Sequence, residues 1–224
     1  MCGRFTLTAD ADTLQAALEL GAVPSLEPRY NIAPTQPVAV VADAERRDVT
    51  MMRWGLVPPW ADDPSIGSRM INARAETVAE KPSFRKPFKT QRCLILADGF
   101  YEWRKENGSA QPYYFRMESG EPFAFAGLWE QWRPKGEANR DPLLSCTLIT
   151  GPANERVAAI HHRQPMILTG DALWQWMAPQ RAPDDLLALL RPLPADELLA
   201  YPVATIVNSP MNDGASLIEP LPMN

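Results

Sequence analysis

A cysteine stands directly after the initiator methionine, in Met1-Cys2-Gly3-Arg4-Phe5. Its small side chain suits removal of Met1 by methionine aminopeptidase. Cys2 would then carry a free α-amine and a thiol on adjacent carbons. Unperturbed, the amine titrates at about 7.7–8.0 and the thiol at about 8.5, so both are partly nucleophilic near neutral pH. Against this stands the ordinary tendency of terminal residues to fray. The two histidines of the chain, His161 and His162, are adjacent. Side chains next to each other on an element point in different directions, so at most one is expected to face a given site. Histidine is the side chain best suited to moving protons near neutral pH. Glu102 lies between Tyr101 and Trp103 at the end of an apolar run. A carboxylate there is costly unless paired or functional, and desolvation would raise its pKa toward that of a useful acid. Asn72 and Arg74 offer an amide for orientation and a guanidinium for phosphate. Trp54 and Trp60 offer faces on which unpaired bases could stack, or simply anchors for a loop.

These residues must be positioned by a chain of 224 residues, 46% of them hydrophobic. That composition suits one large globular domain spanning 1–224. No stretch reaches the roughly 18 consecutive apolar residues of a membrane span, and no charged-then-apolar leader opens the chain. A soluble protein of the cytoplasm, away from membranes, is expected. Cys2, Cys93 and Cys146 are odd in number and widely spaced, which argues against a disulfide framework or a zinc site. Cys93 and Cys146 read as core residues. No metal and no cofactor is expected. The net charge is −5, which is no global signature of a nucleic-acid binder. Its distribution is uneven: Arg69 to Arg92 holds seven Lys/Arg against Glu76 and Glu80. A basic patch attracts phosphates even on an acidic protein.

The elements read as follows. Asp10 to Gly21 is a helix with acidic residues at its start, Leu14, Ala17 and Leu18 on one face, and Gly21 at its end. Pro28 to Pro34 is irregular. Val38–Val41 and Asp48–Leu56 are paired strands. Asn72 to Glu80 opens a short helix. Arg92 to Trp103 is one buried strand with a bulge at Gly99. Strands follow at Tyr113–Met117, Phe123–Trp129 and Leu144–Thr150, then a short helix from Asn154 to Ile160. Asp171–Met177 and Asp184–Leu190 are helical. Ala204–Asn208 is a last strand. Short strands between Pro and Gly turns, with helices inserted irregularly, give an α+β class: a curved, largely antiparallel sheet or open barrel.

Six separated motifs, MCGRF, YNIAPTQ, RWGLVPPW, INARAET, DGFYEW and IHHRQPMIL, resemble the SOS response-associated peptidase (SRAP) family in sequence and order, from Met1 to about Asn208. The resemblance implies a sensor of abasic sites in single-stranded DNA that crosslinks to them. By motif, it makes Cys2 the attachment point and Asn72, Glu102 and His161 the other active-site positions. It implies DNA contacts at Arg4, Pro34, Trp60, Arg74, Arg85 and Thr150. Gln164 departs from the pattern, since the family commonly has methionine there. Such a protein would be a monomer whose partner is abasic single-stranded DNA, and would join the nucleoid when bound. Lyase and self-processing peptidase activity are also implied.

The chemistry of Cys2 fits that role. The amine would condense with the ring-opened aldehyde of an abasic deoxyribose. The thiol would then close a five-membered thiazolidine, an intramolecular step favoured by proximity. Two rivals fit parts of the sequence. Class II glutamine amidotransferase domains also begin Met-Cys-Gly, but no NGE-type glutamine-binding loop and no later glycine-aspartate pattern is present. A non-catalytic single-strand DNA-binding module would use Arg4, Arg74 and the tryptophans without needing Cys2.

Overall fold

The computed structural model describes residues 2–106, 108–137 and 139–222. In chain order its elements are β1 (Phe5–Leu7), α1 (Ala11–Leu18), β2 (Arg29–Ile32), β3 (Pro37–Val41), β4 (Val49–Trp54), β5 (Asn72–Arg74), α2 (Arg85–Thr90), β6 (Arg92–Ala97), β7 (Gly99–Glu106), β8 (Ser109–Met117), β9 (Phe123–Trp132), β10 (Leu143–Pro152), α3 (Glu155–Ala158), β11 (Arg163–Pro165), β12 (Ile167–Leu168), α4 (Asp171–Met177), α5 (Pro183–Leu189) and β13 (Leu198–Pro202).

The expected α+β class holds, and the barrel is closed rather than open. β10 pairs with β4, β4 with β3, β3 with β6, β6 with β9, and β9 returns to β10. The pairings are antiparallel except β10 with β4 and with β5. Closure removes the free edges that so apolar a set of strands would otherwise expose. Leu94, Ile95, Leu96, Phe125, Leu128, Cys93 and Cys146 are all fully buried. A second sheet runs β13-β8-β7-β1-β2. Its outer face is covered by the C-terminal segment, through Val203, Val207 and Leu217 packed on Tyr101 and Tyr114.

Several boundaries differ from the sequence reading, each for a local reason. The first helix stops at Leu18, with Glu19 in the left-handed region at φ 51°, so Gly21 lies beyond it; Leu14 and Leu18 face the core and Ala17 faces solvent. Arg29–Ile32 is a strand, because β1 offers it a pairing edge. Asn72–Arg74 is also a strand rather than a helix start. It pairs in parallel with Leu148–Thr150 of β10, and the helix follows at Arg85–Thr90. The run from Arg92 to Trp103 is two strands in two sheets. Asp98 breaks it by accepting from the hydroxyls of Thr6 and Thr8 and from the Ala9 amide. A Cβ at Gly99 would meet the Tyr114 hydroxyl at 2.1 Å, so only glycine fits at the crossover. Thr205–Asn208 is a 3-10 turn, and the last strand is Leu198–Pro202. Among the described residues no helix is long and apolar enough to cross a membrane.

Candidate functional site

The chain start is built into the core. Phe5 of β1 is fully buried, edge-on to Trp54 at 5.1 Å and to Phe125 at 5.5 Å. Burying one such ring contributes about 1.5–3 kcal/mol, enough to hold a terminus that would otherwise fray. β1 pairs on both sides, with β2 and β7. The Tyr101 amide donates to the Arg4 carbonyl at 3.0 Å. Cys2 is thereby fixed and itself fully buried. Its thiol approaches the Arg4 carbonyl at 3.8 Å, and its own carbonyl accepts from Asn72 Nδ2 at 2.8 Å. Asn72 reaches this point because β5 pairs with β10. Asn72 Oδ1 is buried and has no hydrogen-bond partner among the described residues.

Glu102 projects from β7 with a side chain 3% exposed. Burial pushes its carboxyl up to about 7. Burial first, and the nearby Glu102 charge second, push the Cys2 thiol up as well. His161 Nδ1 lies 4.0 Å from Glu102 Oε2. The same nitrogen lies 3.1 Å from the Arg163 amide nitrogen and 3.0 Å from the Arg163 carbonyl oxygen, which fixes the ring. Burial holds the imidazole pKa below its ordinary value, so it is neutral at neutral pH. The rings of His161 and His162 lie 4.4 Å apart at 31°, rather than pointing apart, and His162 is the exposed one. α3 ends at Ala158, so the pair sits in a turn and not on a regular element. The constellation can therefore present a neutral thiol, a carboxyl shared between protonation states and a neutral proton acceptor.

The other expected contacts lie on separate elements. Arg74 and Arg85 are exposed and Pro34 is half-buried. Trp60 is 57% exposed, whereas Trp54 is a core residue with its indole N–H bonded to Ile71 O at 2.9 Å. Arg4 is half-buried: Nη1 donates to Asn31 Oδ1 at 2.6 Å and to Val207 O at 2.8 Å. Thr150 is fully buried beneath Arg163, which donates to the Thr150 carbonyl at 2.6 Å. The motif reading passed over Arg163 and Glu76, which form a two-pronged pair at 2.8 and 2.9 Å. The one sequence signal for it was an arginine directly after the histidines and an acid within INARAET.

The family model described as SOS response associated peptidase (SRAP) matches residues 1–210. A Bacillus subtilis protein named abasic site processing protein YoqW is 45% identical, covering 98% of this chain and 99% of its own. A Gallus gallus protein named abasic site processing protein HMCES is 36% identical, covering 87% of this chain and 66% of its own. A solved structure of a Bacteroides thetaiotaomicron protein superimposes with a TM-score of 0.86 at 25% identity, covering 98% of this chain and all of that one.

Proposed function

Because the chain belongs to the SRAP family, we propose that it processes abasic sites in single-stranded DNA by forming a covalent crosslink through Cys2. The observation that carries this reading is the burial of Cys2 together with the Glu102 carboxyl, with the Cys2 carbonyl held by Asn72. Phe5 and the pairing of β1 hold the terminus in place; the chemistry is read from the groups it is held among. The names of the relatives agree on the lesion.

In the proposed sequence, removal of Met1 exposes the Cys2 α-amine. The abasic sugar opens to its C1′ aldehyde, and the amine adds to that carbon. The resulting carbinolamine loses its hydroxyl as water, with Glu102 as the proton donor, and leaves an imine. The Cys2 sulfur then bonds to the same carbon and the imine nitrogen takes up a proton. The net change is one aldehyde and one aminothiol giving a thiazolidine and water. The raised thiol pKa makes the amine the leading nucleophile. The second addition is intramolecular and does not need a standing thiolate. Neutral His161 accepts and returns protons as the sugar opens. Asn72 Oδ1, which has no partner among the described residues, accepts from the α-amine. Arg4, Arg74, Arg85 and Trp60 hold the strand, by charge and by stacking. Thr150, fully buried, supports the strand only through Arg163, which donates to its carbonyl. The protein would shield the lesion as a monomer, as one domain.

The test is a denaturing gel after mixing the Met1-processed protein with single-stranded DNA carrying an abasic site. A covalent band is expected, absent for Cys2→Ala and for a chain extended before Cys2. No band with any abasic DNA would sink the reading. Ammonia released from glutamine would point instead to an N-terminal-nucleophile amidohydrolase. Salt-sensitive binding without a band would point to a binding module.

A further inference from the structure

Asn31 is 1% exposed and sits in β2, away from the reacting groups. Its amide is used on both sides. Oδ1 accepts from Arg4 Nη1 at 2.6 Å. Nδ2 donates to the carbonyls of Val207, Ser209 and Asn212 at 3.3, 3.0 and 2.7 Å. Two N–H groups facing three carbonyls gather the turn at residues 205–212 around one side chain.

The same turn also grips Arg4. Val207 O accepts from Arg4 Nη1 at 2.8 Å and Asn208 O from Nη2 at 3.5 Å. Asn208 Oδ1 accepts from the Trp103 indole at 2.7 Å, and the Arg4 guanidinium lies over that indole at 5.9 Å. A second tie fastens the turn to β2: Asp213 accepts from the Tyr30 amide at 2.6 Å and pairs with Arg29 at 3.3 Å. Asn212 and Asp213 lie beyond the residues that the family model matches. Arg4 in turn touches the nucleophile, since its carbonyl is the group that the Cys2 thiol approaches.

We infer that Asn31 is a positioning residue for the Cys2 site: it clamps the 205–213 segment onto Arg4, and through Arg4 sets both the phosphate contact and the register of Cys2. This rests on the crosslinking reading above. A buried amide with one donor on one side and three carbonyls on the other cannot be replaced by a hydrophobic residue without removing one hold on Arg4 and loosening the turn that supplies the others. Such a displacement near the reacting atoms costs on the order of ten- to a hundredfold in rate.

The experiment measures single-turnover crosslinking over a range of abasic-DNA concentrations, which separates half-saturation from the maximal rate. Wild type is compared with Asn31→Ala, Arg4→Ala, the double variant and Asp213→Ala, each at a temperature where circular dichroism shows it folded. Amide hydrogen exchange of residues 205–213 is followed in the same proteins. Asn31→Ala is expected to lower the maximal rate and raise half-saturation, each about tenfold or more. The double variant should be no worse than Arg4→Ala alone, because both substitutions break one unit. Asp213→Ala keeps Asn31 and should lose only about two- to threefold, with faster exchange at 205–213. Asn31→Ala at the wild-type maximal rate, or strictly additive losses in the double variant, would overturn the inference. A merely structural asparagine would lower the folded fraction and leave the rate of the folded protein alone, which also overturns it. Should wild type form no adduct, the crosslinking reading fails first. Hydrogen exchange then decides the clamp: faster exchange at 205–213 in both Asn31→Ala and Arg4→Ala supports it, and unchanged exchange removes it.

Discussion

The closed barrel and the rim carrying Cys2, made of the chain start before β1 together with β5 and β11, treat buried polar atoms in different ways. At the barrel, Arg92 is 6% exposed and four of its five guanidinium N–H groups meet backbone carbonyls. It donates to Trp176 O, Phe88 O, Lys89 O and Ala178 O at 2.7, 2.8, 2.7 and 2.6 Å. One side chain thus ties the end of α2 to the end of α4. At the rim, Arg4 Nε, Asn72 Oδ1, Arg163 Nε and Gln164 Nε2 are buried with no hydrogen-bond partner among the described residues. The barrel has its own exceptions, Arg53 Nε on β4 and Thr147 Oγ1 on β10, so the contrast is one of number, with more such atoms at the rim. An unmet buried group costs about 1–3 kcal/mol, so a cluster of them is kept only where something else uses it. The contrast teaches where stability ends and function begins in this fold.

The hardest test of the contrast lies on the barrel side. Arg92→Met leaves four carbonyls at two helix ends without donors. Leaving a buried acceptor unmet costs about 1–3 kcal/mol, so a loss of about 3 kcal/mol or more is expected for the set. Urea unfolding should show that loss, while the protein that remains folded crosslinks at the wild-type rate. A loss below about 1 kcal/mol would mean that Arg92 is no better satisfied in effect than the rim, and the contrast breaks.

Glu102 sharpens the rim side through pH. Its folded pKa of about 7 stands above the ordinary carboxyl value because it is buried. Between about 4.3 and about 7 the folded protein therefore holds a proton that the unfolded chain has released. More protons bound in the folded state means that stability falls as pH rises. The penalty is absent below the unfolded pKa, builds across this window and is complete above about pH 7, at about 3 kcal/mol. Glu102→Gln has no such titration. The stability difference between wild type and Glu102→Gln should therefore shift by about 3 kcal/mol in favour of the variant between pH 4 and pH 8. Equal unfolding curves at both pH values would show that the carboxyl is not desolvated. Crosslinking should fall about 10²-fold at pH 7, since the proton donor is gone.

Much of this was legible in the sequence, and the misses share a cause. The apolar runs of β6, β9 and β10 show their strands directly, and Asp10 marks the start of α1 by accepting from the Thr13 amide at 2.8 Å. Cys2, Asn72, Glu102 and His161 stood out because their types are rare or costly where they occur. Whether each of them takes part in the reaction is what the substitutions above decide. What stayed hidden depends on partners far along the chain. Gly99 reads as a bulge until Tyr114 is seen against it. Asn72–Arg74 reads as a helix start until β10 is seen beside it. Asn31 is an ordinary polar residue until residues 207–212 close over it, and Arg163 an ordinary basic one until Glu76 meets it. Local propensity carries no information about such meetings.

The smallest expected effect is at Gln164, where the rim meets α3. Its Oε1 accepts from the Asn154 amide at 2.8 Å, and Asn154 in turn caps α3 through the Val157 amide at 3.0 Å. Its Nε2 is one of the unmet rim atoms. Methionine, which the family resemblance leads one to expect here, is an unbranched side chain of similar volume. Gln164→Met would remove the unmet N–H groups, a gain of about 1–3 kcal/mol, and strip the Asn154 amide of its acceptor, a loss of the same size. The two offset, so stability should change by less than about 1 kcal/mol and the crosslinking rate by less than about twofold. A tenfold loss of rate at unchanged stability would place Gln164 Nε2 among the groups that the bound strand uses. The rim would then owe its unmet atoms to DNA on the α3 side as well as beside Cys2. A loss of several kcal/mol with the rate unchanged would show instead that the Asn154 contact outweighs the unmet amide, and that the rim at this point is built like the barrel.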